Sequence, residues 1–180
     1  QRNPIEMIKS RVKKPKSIIE KLQRRGLEIS LESVLNNLDD VAGIRVICSF
    51  VDDIYEVADM LIRQDDITVI TIKDYIKNPK PNGYRSYHMI VLYHVETLDG
   101  PKDIRAEIQK KPMRVEVQIR TIAMDFWASL DHQLKYKKEF VDSEEIGQEL
   151  KTCADVIAQT DNKMLEIRKR IEAQGITIKK

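Results

Sequence analysis

Two cysteines, six glycines and six prolines among 180 residues are too few for a disulfide scaffold, a collagen-like repeat or a low-complexity chain. No apolar run approaches the roughly 20 residues that a membrane-spanning helix requires, and Gln1-Arg2-Asn3-Pro4 opens without a signal-peptide pattern. Both absences point to the cytoplasm, and Gln1 in place of Met leaves room for residues upstream. Cys48 and Cys153 lie far apart without paired spacing and are expected to be reduced thiols. His88, His94 and His132 form no set with zinc-ligand spacing, which counts against a structural zinc site. A dominant charge is missing as well: 31 Lys and Arg stand against 29 Asp and Glu, a net of +2, which argues against a broad nucleic-acid coat.

What remains is a globular protein with a heavily charged surface, 42% hydrophobic and 33% charged, long enough for one ordinary domain with a sizeable core. The charges are unevenly placed. Lys9, Arg11, Lys13, Lys14, Lys16, Lys21, Arg24 and Arg25 are opposed in that stretch only by Glu20, so the first segment is a cationic patch suited to anions.

Ile18, Ile19 and Leu22 recur at helical spacing between Pro15 and Gly26, which predicts a short basic helix. Ser30 can cap a second helix reaching about Leu38, and Val41 to Phe50 reads as a strand interrupted by Arg45. A helix opened by Asp52 and Asp53 carries Ile54, Val57, Ala58, Leu61 and Ile62 on one face, and a strand follows at Ile67 to Ile72. Beyond a polar loop from Lys77 to Gly83, strands are expected at Met89 to Val95 and Arg114 to Ile119. Another is expected at Ile104 to Ile108, past an Asp99-Gly100-Pro101 turn. Ile122, Phe126, Leu130 and Leu134, with Trp127 beside them, predict a helix packed on the sheet. From Ser143 to Gln174 a heptad-like seam of Ile146, Leu150, Cys153, Ile157, Thr160, Met164, Ile167 and Ile171 predicts a long helix, covering its own domain or making a subunit contact. The sum is a mixed α/β (α+β) domain, a sheet of about five strands flanked by helices, followed by a helical C-terminal extension.

The segment Arg114 to Arg120 has period two: Val115, Val117 and Ile119 share one side, while Arg114, Glu116, Gln118 and Arg120 share the other. A strand with one solvated face gives the same pattern. Arg45, however, interrupts an apolar run, where an unpaired charge costs several kcal/mol, so it needs an anion nearby. Asp40 and Glu116 are candidates to share a metal or bracket a ligand, since Mg²⁺ is often held by one or two carboxylates plus phosphate oxygens. Gly83-Tyr84-Arg85-Ser86-Tyr87-His88 joins a hinge to two tyrosines, which either pack or offer a base a stacking face worth roughly 1–3 kcal/mol. Tyr84 and Tyr87 can serve both ends by pointing in different directions.

Three blocks now stand in order: Asp39-Asp40-Val41-Ala42-Gly43-Ile44-Arg45, Gly83-Tyr84-Arg85-Ser86-Tyr87-His88 and Glu116-Val117-Gln118-Ile119-Arg120-Thr121. Arg11-x-Lys13 and Ser17-x-x-x-Lys21-x-x-Arg24 precede them, and Phe126-Trp127-Ala128 follows. Together they resemble the RelA/SpoT-type synthetase domain, and the chain is similar to the single-domain small alarmone synthetases of the RelQ-like group from Pro4 to about Lys137.

The resemblance implies a nucleotidyltransferase-like (p)ppGpp synthetase domain over residues 1–140 and a C-terminal helix for packing or oligomerisation over residues 141–180. It implies a GTP diphosphokinase that moves pyrophosphate from ATP to the 3′-hydroxyl of GDP or GTP and releases AMP, with Mg²⁺ as cofactor. Asp40 would ligate Mg²⁺, and Glu116 would ligate the metal or accept the hydroxyl proton. Arg11 and Arg45 would sandwich adenine, while Lys13, Ser17, Lys21 and Arg24 match contacts to the ATP phosphates. Tyr84 matches the tyrosine that stacks on guanine, and Lys73, His88 and Gln118 fall near the acceptor's phosphates and ribose. Arg120 is expected to hold the site together through ion pairs, and Phe126 and Trp127 to be core.

The resemblance implies a homotetramer, the basic residues and tyrosines also suit single-stranded RNA, and no membrane partner is expected. In some RelQ-like members an alarmone binds between subunits and activates. They use an aromatic near Met7, a threonine near Lys9 and an asparagine at Asp125, none of which this chain keeps, so weak or absent activation is expected. The competing readings are a catalytically silent RNA-binding or regulatory relative, and a toxic relative that pyrophosphorylates adenine nucleotides or tRNA.

Overall fold

The computed structural model describes residues 2–99, 107–136 and 143–176. In chain order they form β1 (Ile5–Val12), α1 (Pro15–Arg24), α2 (Leu31–Asn37), β2 (Ala42–Cys48), α3 (Val51–Ile62), β3 (Ile67–Asp74), β4 (Tyr87–Asp99), β5 (Glu107–Thr121), α4 (Ile122–Tyr136) and α5 (Ser143–Glu172). Local chemistry sets several of these ends. Pro15 begins α1, where a missing N–H costs nothing. Ser30 caps α2 by accepting from the Ser33 N–H at 3.1 Å. Asp53 accepts from the Phe50 N–H at 3.0 Å at the start of α3, where a carboxylate also suits the helix dipole.

The sheet has five strands in the order β1-β2-β5-β4-β3. β2 and β5 run parallel and the other neighbours antiparallel. Val46, Cys48, Met89, Val91, Val115, Val117 and Ile119 form one buried cluster with Ile54, Val57 and Ala58 of α3. That face of the sheet is the core, and alternation along each strand sends the intervening polar residues to the other. Tyr87 falls on the core side, edge-on to Tyr55 with ring centroids 5.6 Å apart, whereas Tyr84 does not join that cluster.

Several elements differ from the sequence expectation. β1 has no predicted counterpart because it is an edge strand whose residues from Glu6 to Val12 are exposed, so it carries no alternating apolar signal. The strand expected at Ile104 to Ile108 merges with the next: Glu107 and Ile108 already belong to β5, and residues 104–106 lie outside the described residues, as does most of the Asp99 to Pro101 turn. The expected packing stripe of α4 is wrong. Ile122, Phe126, Leu130 and Leu134 are exposed, and the buried side chains are Met124 and Trp127, so Phe126 is not core.

On α5 the seam is likewise displaced, since Cys153, Thr160, Met164 and Ile167 are exposed while Ala154, Asp161 and Arg168 are buried. Arg168 of that buried stripe pairs with Asp52 and Asp53 at the start of α3. Arg2 pairs with Asp53, and the Arg2 and Arg168 guanidinium groups lie 5.2 and 5.0 Å from the Phe50 ring. α5 is therefore tied to the domain by charges as well as by packing.

Candidate functional site

Register across the sheet places the polar residues in rows. Lys9, Arg45, Gln118, His88 and Lys73 are successive partners on β1, β2, β5, β4 and β3. Two residues along, Arg11, Gly43 and Glu116 form a second row. Both rows lie on the face opposite the core, because side chains two residues apart share a face.

A cavity of about 520 Å³ opens over these rows. Arg11, Lys13, Asp40, Arg45, Glu116 and Gln118 line it, together with Lys9, Ser10, Gly43 and Ile44. The two acids, distant in sequence, are thus brought to one basic hollow. Ser17 and Arg24 sit on α1 and do not line the cavity. Lys21 reaches it through Asp40, and Lys73 is exposed one strand out from His88.

Asp40 accepts from Lys13 Nζ at 2.6 Å and Lys21 Nζ at 2.7 Å. Partial burial alone would raise its pKa, but the two ammonium groups outweigh that and hold the carboxyl below its ordinary value. Neighbouring Asp39 accepts from Arg114 Nη1 at 2.8 Å, which anchors this loop to β5. Glu116 accepts from Gln118 Nε2 at 3.1 Å, and His88 Nδ1 stands 3.6 Å from its Oε1. His88 foremost holds the Glu116 carboxyl below the ordinary range, against burial and the repulsion of Asp40.

The sequence expectation that Arg45 needs an anion nearby is met, by a residue it did not name. It is Asp125 in the first turn of α4, 3.2 Å from Arg45 Nη1. Asp40 is already taken by two lysines. Asp125 also accepts from Arg120 Nη1 at 3.0 Å, and Lys9 Nζ lies 3.8 Å away. Arg120, only 4% exposed, donates in turn to Gln118 Oε1 at 2.8 Å, the Tyr84 hydroxyl at 2.6 Å and Ser86 Oγ at 3.3 Å. A buried cation this well satisfied is a fixed joint, matching the role expected of Arg120. The Tyr84 hydroxyl also shares a 2.8 Å hydrogen bond with His88 Nε2.

Tyr75, Lys80 and Asp125 escaped sequence reasoning as members of this network. The Tyr75 ring is edge-on to Tyr84 and to His88, with centroids 6.0 and 5.2 Å apart. Lys80 Nζ lies 4.8 Å from both tyrosine ring centroids. Lysines and tyrosines interleave in this stretch, but only the return from β3 to β4 brings Tyr75 to the others.

Among the described residues no three His, Cys, Asp or Glu side chains group as metal ligands, so a closed all-protein metal cage is not the fit. Two carboxylates in an open basic cavity suit instead a hard divalent cation that completes its shell with water and phosphate oxygens.

Residues 10–140 match the family model described as the region found in RelA / SpoT proteins. The chain is 44% identical to GTP pyrophosphokinase YwaC of Bacillus subtilis, covering 94% of this chain and 77% of that protein. It is 39% identical to GTP pyrophosphokinase YjbM of the same organism, covering 96% and 77%. The structure of small alarmone synthetase 1 from Bacillus subtilis bound to its product pppGpp superposes with a TM-score of 0.81 at 38% identity, covering 96% of this chain and 82% of that one. The chain belongs to the RelA/SpoT family and has the small alarmone synthetase fold, the five-stranded mixed sheet with its C-terminal helix.

Proposed function

We propose that the chain is a (p)ppGpp synthetase, a GTP pyrophosphokinase that transfers the β,γ-pyrophosphate of ATP to the 3′-hydroxyl of GDP or GTP. The observation that carries this reading is the meeting of Asp40 and Glu116 in one cavity walled by Arg11, Lys13 and Arg45. In the transfer the acceptor's 3′-oxygen attacks the β-phosphorus, the bond from that phosphorus to the oxygen it shares with the α-phosphorus breaks, and AMP leaves. Positioning and charge neutralisation do most of such work.

Arg11 and Arg45, two register positions apart on neighbouring strands and both lining the cavity, would take the adenine between their guanidinium groups. Lys13, just before α1, and Ser17, Lys21 and Arg24 on it take the ATP phosphates. Tyr84 offers its ring to guanine, with Lys73, His88 and Gln118 along the same row for phosphates and ribose. Glu116, ionised and held by Gln118 beside His88, takes the proton of the 3′-hydroxyl. Asp40 and Glu116 would hold Mg²⁺, which supplies neutralisation of the phosphate charge.

No helix among the described residues is long and apolar enough to cross a membrane, and the cytoplasm, where the nucleotides are, is the site of action in this reading. Assembly as a homotetramer belongs to it as well. Exposed Met7, Ile8 and Val12 on β1 and Ile122 and Phe126 on α4 supply apolar surface for such contacts.

Labelled ATP with a panel of GDP, GTP, ADP and tRNA tests the proposal. AMP with a 3′-pyrophosphorylated guanine nucleotide is expected. Transfer to adenine nucleotides or tRNA alone would favour the toxic relative, and no transfer a silent RNA-binding one. Asp125 is engaged by Arg45 and Arg120 and presents a carboxylate where an activating alarmone would need a neutral donor. Added ppGpp is therefore expected to raise the initial rate at low substrate by less than the roughly fivefold at the lower end of allosteric couplings.

A further inference from the structure

One stripe of α5 touches a different element at each contact. The Leu150 carbonyl accepts from Trp127 Nε1 of α4 at 3.0 Å. Ala154 faces Gly83, Asp161 accepts from Thr121 Oγ1 at the end of β5 at 2.7 Å, and Arg168 pairs with Asp52 of α3. Spacings of four and seven keep these residues on one side of the helix.

Gly83 and Arg85 flank Tyr84, the residue read above as the guanine platform. Gly83 is buried, at φ +87°, and a Cβ built there would stand 2.4 Å from the Ala154 Cβ and 3.3 Å from Lys151 Cδ. The backbone of the loop thus lies directly against α5, closer than any side chain would permit. Arg85, with its side chain 11% exposed, has its Nη1 3.9 Å from Asp161 Oδ2. The turn itself is tight: the Gly83 N–H donates to the Lys80 carbonyl at 2.8 Å and the Lys80 N–H to the Tyr84 carbonyl at 3.1 Å. It has little freedom to absorb a displacement at Gly83 without moving Tyr84. On its far side, Arg120 holds the Tyr84 hydroxyl and Ser86.

We propose that α5 is a positioning element of the acceptor-nucleotide site: Ala154 and Asp161 seat the segment from Gly83 to His88 and thereby place Tyr84 and His88. Neither residue lines the cavity where the ATP contacts were read, so the effect is selective for one substrate. The inference rests on the pyrophosphokinase reading and deepens it.

Ala154→Val adds bulk toward Gly83, and Asp161→Asn keeps the shape but removes the charge facing Arg85. The acceptor KM is measured for both, alongside the dissociation constant of a non-hydrolysable ATP analogue. Because a displacement near 1 Å can cost a hundredfold, Ala154→Val is expected to raise the acceptor KM about tenfold or more, with analogue affinity unchanged within about twofold. Asp161→Asn is expected to raise it several-fold, and Ala154→Ser, which barely changes the volume, to restore it. An unchanged acceptor KM in the folded variants, or a parallel loss of analogue affinity, overturns the inference. Should Ala154→Val fail to fold, Asp161→Asn decides alone. The unmodified chain separates the two claims: if it transfers nothing from ATP to GDP, the functional reading fails, whereas transfer with unmoved variants sinks only the role of α5.

Discussion

Replacing Glu116 by Gln is expected to lower the rate of AMP and alarmone formation by about a thousandfold or more, the scale of losing a general base together with a metal contact. Gln is nearly isosteric, so the 3.1 Å contact with Gln118 can be kept with the amide turned, and the strand's apolar face is untouched. What disappears is the negative charge. The free Glu116 is kept ionised chiefly by His88, with Gln118 contributing, so through the neutral range it can accept a proton without first losing one. The variant should bind both nucleotides and give an unchanged circular dichroism spectrum. Turnover above about a tenth of the original would remove Glu116 from the chemistry.

Asp40→Asn is expected to cost a similar factor in turnover while having the opposite effect on binding. In the free chain Lys13 and Lys21 are both committed to Asp40, at 2.6 and 2.7 Å. Neutralising that acid frees two cations at the cavity proposed to take the ATP phosphates, so ATP without added metal should bind the variant at least as tightly as the original chain. Added Mg²⁺, which should stimulate the original chain, is expected to have little effect on the variant's residual rate. Titration calorimetry with and without metal, run beside a product assay, separates these outcomes. Weaker metal-free binding would mean that Asp40 organises the lysines rather than the cation.

Much of this site was legible because its residues break a local pattern. Arg45 interrupts an apolar strand, and Glu116 and Gln118 repeat with period two against Val115, Val117 and Ile119, so the polar face was visible before the sheet was. Partners contributed by other elements were not. Asp125 meets Arg45 across 80 residues, and nothing in its own helix distinguishes it from a solvated acid. β1 is exposed from Glu6 to Val12, so periodicity had nothing to register. In α4 the fourfold repeat from Ile122 to Leu134 did mark an apolar face, but Met124 and Trp127 are the ones buried. A hydrophobic stripe states that a surface seeks cover and does not say which surface supplies it.

The parallel pairing of β2 with β5 has a consequence for how the chain acquires activity. Among the described residues β5 is the last strand in the polypeptide yet the middle one in the sheet, wedged between β2 and β4. Without it, β1 paired with β2 and β3 paired with β4 have no strand in common. Pairing β5 with β2 closes a long loop, the kind of non-local contact that chains form slowly. The same insertion delivers Glu116, so on the proposed mechanism a chain without β5 in place would lack its base.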